Sequence, residues 1–343
     1  MNLKDPLKTD SYDYDLPKEL IATTPVHPAD EAKLLVFNRK ENSITHTTYK
    51  HLLDYLPSSL AIYFNDTKVI KARLYGHKET GPKIELLFNK PLPNNQFLVY
   101  IKGRIRQLGI KLIFENNLVA VVTAINEDGT RELEFFQDEK QLDFEELVNI
   151  LNDIGHIPLP PYMHREDNKD DEIDYQTLFA KNYGAVAAPT ASLHFTPTLL
   201  EALKQKFETH YLTLHVGAGT FKPVEADDIL DHPMHSEFFD IPQSALETLN
   251  SSKPILAVGT TVTRTVEYYA RTQTVQGQCD LFLNPNNTPI RVNHLLTNFH
   301  LPKSTLIMLI ASFVGLEKTM ELYDIAIKNN YRFYSYGDGM LII

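Results

Sequence analysis

Only one of the 343 residues is a cysteine, Cys279. A lone thiol closes no internal disulfide and builds no multi-thiolate metal site, so iron–sulfur and zinc-ribbon chemistry are excluded and a reducing cytoplasm is the expected setting. Long apolar runs are missing too. The longest nearly uninterrupted one, Leu306 to Leu316, falls well short of the ~20 residues that cross a bilayer, and no integral membrane protein is expected. Met1 to Asp15 contains no apolar core: Lys4 and Lys8 are mixed with Asp5, Asp10, Asp13 and Asp15, which does not suit a secretory signal. Internal repeats and low-complexity tracts are absent as well. What remains is ordinary globular composition, 43% hydrophobic and 22% charged, in a chain long enough for about two domains.

Basic residues are in deficit overall, 33 against 44 acidic, for a net charge of −11. That average repels a polyanion at long range. The distribution reverses it locally. Between Ile62 and Ile113 stand ten bases (Lys68, Lys71, Arg73, Lys78, Lys83, Lys90, Lys102, Arg104, Arg106, Lys111) and three acids (Asp66, Glu79, Glu85), a window of +7 in a remainder of −18. Such asymmetry fits either the solvated faces of surface strands or the docking of a nucleic acid on one region only.

The same part of the chain, Ser59 to Phe136, is a series of short β-rich runs (LAIYF, KVIKARLYGHK, KIELLF, QFLVYIKG, IKLIFE, LVAVVTAI, RELEFF) punctuated by turn residues, with Asp128-Gly129 where a tight hairpin belongs. Outside it, the helical patterns PTLLEALKQKFE and STLIMLIASFVGLEKTMELYDIAIK alternate with the strand-like HYLTLHV, PILAVG and YRFYSYG, while strand-like LLVFNR and helical HLLDYL precede it. The expected fold is α/β: a mixed-sheet main domain, discontinuous in sequence (residues 1–60 and 151–343), with an inserted small all-β, barrel-like domain (residues 61–150). The stretch Ile157 to Pro161 reads as an extended crossing between them. Clefts between domains are frequent ligand sites.

Four segments could carry chemistry. Gly184 to Thr196 (GAVAAPTASLHFT) suits a pocket wall or a tightly packed turn with a satisfied histidine. Thr213 to Val224 (TLHVGAGTFKPV) runs a strand into a Gly-x-Gly turn that can present N–H groups, yet lacks the third glycine of a dinucleotide fingerprint and the Lys-Ser/Thr ending of a P-loop. Pro254 to Glu267 (PILAVGTTVTRTVE) ends an apolar strand at Gly259 and places Thr260 and Thr261 where helix caps belong, with Arg264 in reach of a carboxylate or phosphate. Leu295 to Phe313 crowds Asn298, His300, Lys303 and Ser304 at the entrance to an apolar helix, and capping by Ser304 explains one of them. His232, His235 and Glu237 have a metal-like spacing, but Pro233 interrupts it and it is not the helical His-Glu-x-x-His pattern. No Gly-x-Ser-x-Gly elbow supports a serine hydrolase.

Together these blocks resemble the S-adenosylmethionine:tRNA ribosyltransferase-isomerase family of queuosine biosynthesis over nearly the whole chain. The resemblance rests on YDYDLPKELIATTP (Tyr12 to Pro25), NDTKVIKARLYG (Asn65 to Gly76), GHIPLPPY (Gly155 to Tyr162), DYQTLFA (Asp174 to Ala180), MHSEFF (Met234 to Phe239), YRFYSYGDGML (Tyr331 to Leu341) and the four segments above. Departures are Ser192 where the family usually has glycine, Gly339 where it has alanine, Ala29 to Lys33 in place of an Arg-Asp-x-Ser-Arg run, and Asn284 to His294.

The resemblance implies that the ribosyl group of S-adenosylmethionine is transferred and isomerised onto 7-aminomethyl-7-deazaguanine (preQ1) at the wobble position of tRNA, giving epoxyqueuosine-tRNA, adenine and methionine. The donor is then a consumed substrate, with no cofactor and no metal. The expected tRNAs are those for Tyr, His, Asp and Asn, and the protein is expected to be a cytoplasmic monomer with no obligate protein partner and no membrane contact. Abstraction of a ribose C5′ proton beside the sulfonium needs a base active near neutral pH, for which His194, His215 and His300 are the candidates. Thr190, Gly217, Gly219, Thr220, Gly259, Thr260, Thr261, Arg264 and Asn298 are expected to hold S-adenosylmethionine, and Lys102, Arg104 and Arg106 to contact RNA phosphates. Two other readings compete. A noncatalytic RNA-binding module leaves the Gly- and His-containing blocks unexplained, and a conventional methyltransferase predicts a Rossmann fingerprint that the chain lacks.

Overall fold

Strands that are apolar at successive positions present apolar side chains to both faces and must bury both, and the centre of the main sheet does so. In the computed structural model, which describes residues 4–221 and 224–343, nine strands follow the order Gln276–Cys279, Glu237–Asp240, Glu208–Leu214, Ala61–Asn65, Ile255–Val258, His294–Asn298, Gly339–Ile342, Lys33–Asn38 and Ser43–Thr48. The pairings are mixed. Ala61–Asn65 is parallel to both neighbours, whereas Glu208–Leu214 with Glu237–Asp240 and His294–Asn298 with Gly339–Ile342 are antiparallel. On one face Ile62, Phe64, Leu256, Val258, Leu34 and Val36 pack against helix Pro197–Lys206 through Leu199, Leu200 and Leu203. On the other, Tyr63, Ile255 and Ala257 meet helix Thr260–Thr272, while Leu35, Phe37, Met340 and Ile342 meet helices Thr305–Val314 and Leu316–Lys328.

A second sheet closes on itself. Six strands (Arg73–Lys78, Lys83–Leu92, Gln96–Lys102, Lys111–Ile113, Leu118–Ile125, Thr130–Gln137) form an antiparallel barrel, shut by pairing of the last two, with Lys140–Gln141 added at one edge. Its interior is filled by Leu74, Leu86, Phe88, Val99, Leu112, Val122 and Phe135, and helix Phe144–Ile154 plugs it with Leu147, Val148 and Leu151. That helix starts at a reciprocal capping box between Asp143 and Glu146.

Three sequence expectations change. Residues 61–65, read as part of the inserted β-domain, lie at the centre of the large sheet, because both their faces are buried and a small barrel buries only one. The run YRFYSYG is a buried tight turn joined to the chain start by one bridge, Ile21 to Phe333, and the strand follows it at Gly339–Ile342. The long pattern from Ser304 to Lys328 breaks at Gly315, whose φ of +81° ends one helix and begins the next. Among the described residues no helix is long and apolar enough to cross a membrane.

Candidate active site

Where the barrel meets the large sheet there is a chamber of about 610 Å³, a size typical of small-molecule sites. The barrel contributes Asn89, Leu98, Tyr100, Asp128 and Thr130, and the sheet side contributes Gly184, His215, Gly217, Gly219, His235 and Arg264. A smaller recess of about 90 Å³ adjoins it, lined by Thr190, Gly259, Thr260, Thr261, Asn298 and His300. Leu306 borders both spaces. The expected donor-site residues thus line two adjoining spaces, with His194, Lys102, Arg104 and Arg106 outside both.

His215 follows strand Glu208–Leu214 and is the expected base that faces the chamber. Its Nδ1 lies 2.8 Å from Thr67 Oγ1, and its ring stacks on Phe238 with centroids 5.6 Å apart. Gly184 makes room for the ring: a Cβ there would stand 2.7 Å from both Nε2 and Cδ2. Burial lowers the His215 pKa to about 4, so the imidazole is neutral near pH 7 and, with Nδ1 engaged, offers Nε2 to a substrate. The brace beneath it comes from the Asn65-Asp66-Thr67 segment. Fully buried Asn65 donates through Nδ2 to the Leu214 carbonyl (2.9 Å) and Thr261 Oγ1 (3.2 Å), and its Oδ1 accepts from the Thr67 and Leu214 N–H groups. Asp66 Oδ1 accepts from Thr213 Oγ1 at 2.6 Å and Asn182 Nδ2 at 3.1 Å.

The other two histidines are more confined. His300 sits in the small recess with Nε2 at 2.8 Å from Thr297 Oγ1, and burial lowers its pKa to about 3. His194 is buried under Tyr49 (ring centroids 4.2 Å apart), and its pKa falls to about 3, first through burial and then through nearby Arg332. Its Nε2 is 3.2 Å from Asn298 Nδ2, while Asn298 Oδ1 accepts from Thr190 Oγ1 at 2.9 Å. His194 lines a separate recess of about 180 Å³ and touches neither the chamber nor the small recess, so it positions Asn298 and is no candidate for proton transfer to a substrate there.

Helix Thr260–Thr272 points its N-terminus at the small recess. The expectation that Thr260 and Thr261 cap it is corrected: the cap is Gly259 at φ +95°, the threonines are the first helical residues, and among the described residues no side chain bonds the first-turn N–H groups. A helix end left in this way favours an anion through its dipole and its unpaired donors.

Arg264 also departs from expectation. Its guanidinium is spent inside the protein, ion-paired through Nη1 to Glu237 Oε2, with Nε donating to the Leu281 carbonyl at 3.0 Å and Nη2 to the Cys279 carbonyl at 3.1 Å. Glu237 Oε1 in turn accepts the Gly217 N–H at 2.9 Å. Arg264 therefore fixes the Gly217 turn from behind, because a buried guanidinium is stable only when its donors are satisfied. The same bonds take Glu237 away from the metal-like spacing, and among the described residues no three acidic, histidine or cysteine side chains gather as a metal cluster. Thr220, also expected at the donor site, falls outside the described side chains.

Lys102, Arg104 and Arg106 are all exposed. Lys102 ends the strand whose Leu98 and Tyr100 line the chamber, and alternate residues share a face, so it carries that wall outward to the rim. It pairs loosely with Glu85 at 3.6 Å. Arg104 and Arg106 follow in the next loop.

Sequence reasoning missed the barrel's share of the chamber: Asn89, Tyr100 and Thr130 lie on strands that carry no motif, and Asp128 was read only as a hairpin turn. Asn89 Oδ1 reaches the Ala218 N–H at 3.4 Å, tying the barrel to the glycine turn. It also set aside His232 and His235, which line the chamber although they bind no metal cluster.

Comparison with known proteins agrees with this architecture. The profile of the family described as queuosine biosynthesis protein matches residues 9–342. A curated S-adenosylmethionine:tRNA ribosyltransferase-isomerase from Aliarcobacter butzleri is 68% identical over 339 residues, 99% of each chain. One of the same name from Campylobacter jejuni is 60% identical over 336 residues, 97% of this chain and 98% of that one. The crystal structure of S-adenosylmethionine tRNA ribosyltransferase from Thermotoga maritima is similar at a TM-score of 0.53 and 32% identity, covering 97% of this chain and 100% of that one. On the family profile and on relatives this similar over their full length, the chain belongs to the queuosine biosynthesis protein family.

Proposed function

We propose that the chamber between barrel and sheet is where this S-adenosylmethionine:tRNA ribosyltransferase-isomerase joins its two substrates. S-adenosylmethionine lies with its methionyl carboxylate at the N-terminus of helix Thr260–Thr272, in the small recess with Thr190, Asn298 and His300, and with its ribose in the chamber beside His215. The recess, at about 90 Å³, is the smaller of the two spaces and takes the carboxylate end, leaving the larger chamber for the purine. The acceptor is 7-aminomethyl-7-deazaguanine at the wobble position of tRNA, entering from the barrel side past Tyr100, Asp128 and Thr130, with Lys102, Arg104 and Arg106 on phosphates. A loop nucleotide turned out of its stack suits such a pocket.

The sulfonium acidifies the ribose C5′ hydrogens. His215 Nε2 removes one, C4′–O4′ opens, and adenine is expelled. Attack by the neutral aminomethyl group and departure of methionine complete the transfer to epoxyqueuosine-tRNA, so S-adenosylmethionine is consumed as a substrate. The base must be neutral before it acts, and burial keeps His215 so. The tRNAs served are those for Tyr, His, Asp and Asn, and the chain works as a monomer in the cytoplasm.

The observation that carries this reading is the junction of an uncapped helix N-terminus with a histidine-bearing chamber whose far wall is the barrel, with Lys102, Arg104 and Arg106 exposed beyond it. Incubation with S-adenosylmethionine and tRNA bearing the aminomethyl base should release adenine and methionine together with a heavier nucleoside. Release of S-adenosylhomocysteine, or tRNA binding without either product, would falsify it.

A further inference from the structure

The mechanism above uses one of the three chamber histidines, His215, and leaves His232 and His235 idle. Strands Glu208–Leu214 and Glu237–Asp240 pair antiparallel, with Leu214 opposite Phe239, and the His215 N–H continues the pattern by donating to the Phe238 carbonyl. Beyond that bond the two chains open into the facing loops that form one chamber wall. His215 stands at the inner end. His235 stands at the outer end against Gly219, where a Cβ would meet its ring at 2.6 Å. The two imidazoles therefore line the chamber from different turns, His215 packed against Gly184 and His235 against Gly219.

The histidines also differ in their commitments. His194, His300 and His215 each hold a side chain of the protein, Asn298, Thr297 and Thr67 respectively. His235 is exposed within the chamber, and among the described residues no protein hydrogen bond restrains its ring nitrogens. His232 lines the same space but rests its ring against Phe282, centroids 6.2 Å apart.

Resting on the proposed function, the donor's direction decides what His235 meets. With the carboxylate at the helix N-terminus and C5′ at His215, the adenine lies toward the outer end of the wall. We infer that His235 is the general acid that protonates the departing adenine. Loss of the C5′ proton to His215 forms the C4′–C5′ double bond and frees O4′ from C4′. The O4′ electrons then form the C1′ carbonyl, the C1′–N9 bond breaks with its electron pair going to the purine, and the His235 imidazolium supplies the proton that lets adenine leave neutral. His235 is exposed and recovers that proton from water.

The test compares wild type, His235→Gln and His235→Ala on S-adenosylmethionine and on its 7-deazaadenosyl and 3-deazaadenosyl analogues, each lacking one ring nitrogen that accepts the proton. On the natural donor His235→Gln should lower adenine-release turnover at least 100-fold, within the range general acids contribute, with KM for the donor changed less than threefold. On the analogue lacking the accepting nitrogen wild type should itself be slow and His235→Gln no slower, and free imidazole should restore part of the His235→Ala turnover. Turnover of both variants within threefold of wild type, or one equal loss on all three donors, overturns the assignment while leaving the proposed function standing. Wild type that releases no adenine overturns both.

Discussion

Gly184→Ala tests the geometry of the proposed base with a single methyl group. Gly184 sits at a register shift between strands Asn182–Ala185 and Thr67–Val69, with φ at +149°. The added Cβ would stand 2.7 Å from His215 Nε2 and Cδ2, roughly 1 Å inside ordinary contact. Backbone strain at such a φ costs of order 1–3 kcal/mol and overpacking a similar amount. We expect a stability loss of about 3 kcal/mol, or about 6 °C in Tm at the ~2 °C per kcal/mol suited to a large chain. The ring escapes by turning off Thr67, which takes Nε2 away from C5′, so turnover should fall about 100-fold or more as the general base is lost. The assay is initial-rate adenine release below the lowered Tm. The route is separated from general damage by His215→Ala, because if the methyl acts through the histidine the double variant is no slower than His215→Ala alone. Turnover of Gly184→Ala within threefold of wild type, or a double variant slowed by the full product of the single effects, refutes the reasoning.

Four further outcomes are expected. Arg264→Ala removes the guanidinium paired with buried Glu237, which should cost about 3–5 kcal/mol in urea unfolding, and Arg264→Met with Glu237→Gln should recover part of it; a wild-type midpoint in Arg264→Ala refutes the buried pair. Reversing Lys102, Arg104 and Arg106 to glutamate should weaken tRNA binding and reduce the salt slope by about 2–3, and an unchanged slope places the RNA elsewhere. His194 and His300 have folded pKa values of about 3 and His215 and His294 of about 4, below the ~6.5 of an unfolded histidine. Below pH 6.5 the unfolded chain therefore binds more protons, and stability, complete above that pH, should fall by several kcal/mol as the pH drops toward 4; chemical denaturation that is flat from pH 7 to 5 contradicts this. Gly339→Ala would bring a Cβ against the Tyr49 hydroxyl, which is buried with no hydrogen-bond partner among the described residues. The variant should lose about 1–3 kcal/mol in thermal unfolding, partly restored by Tyr49→Phe, and an unshifted Tm shows that Tyr49 moves freely.

The legibility of the site varied with how local each residue's work is. The strand end at Gly259 followed by a helix was readable because the two lie consecutively in sequence, although the cap fell on Gly259 and not on Thr260 and Thr261. Ser304 was readable for the same reason, and it does cap Thr305–Val314 by accepting from the Ile307 N–H. Arg264 was misread because its type suggests a ligand carboxylate, whereas its partner Glu237 lies 27 residues away, on a strand whose neighbour only the sheet order reveals. His194 was misread similarly: its block is rich in small residues, but whether the ring faces a chamber or sits under Tyr49 depends on how strand Lys33–Asn38 and the segment after it come to lie against it.

By itself the sequence determined the α/β class, the inserted β-barrel, the localisation of positive charge and the blocks that mark the family, because hydrophobic period, turn residues and charge are properties of neighbours along the chain. Only the tertiary structure decided that residues 61–65 belong to the large sheet, that the barrel supplies one wall of the chamber, and that His215 and His235 face that space while His194 does not. These are outcomes of strand order and of the contact between two domains, where residues far apart in sequence either satisfy one another or are left to meet a substrate.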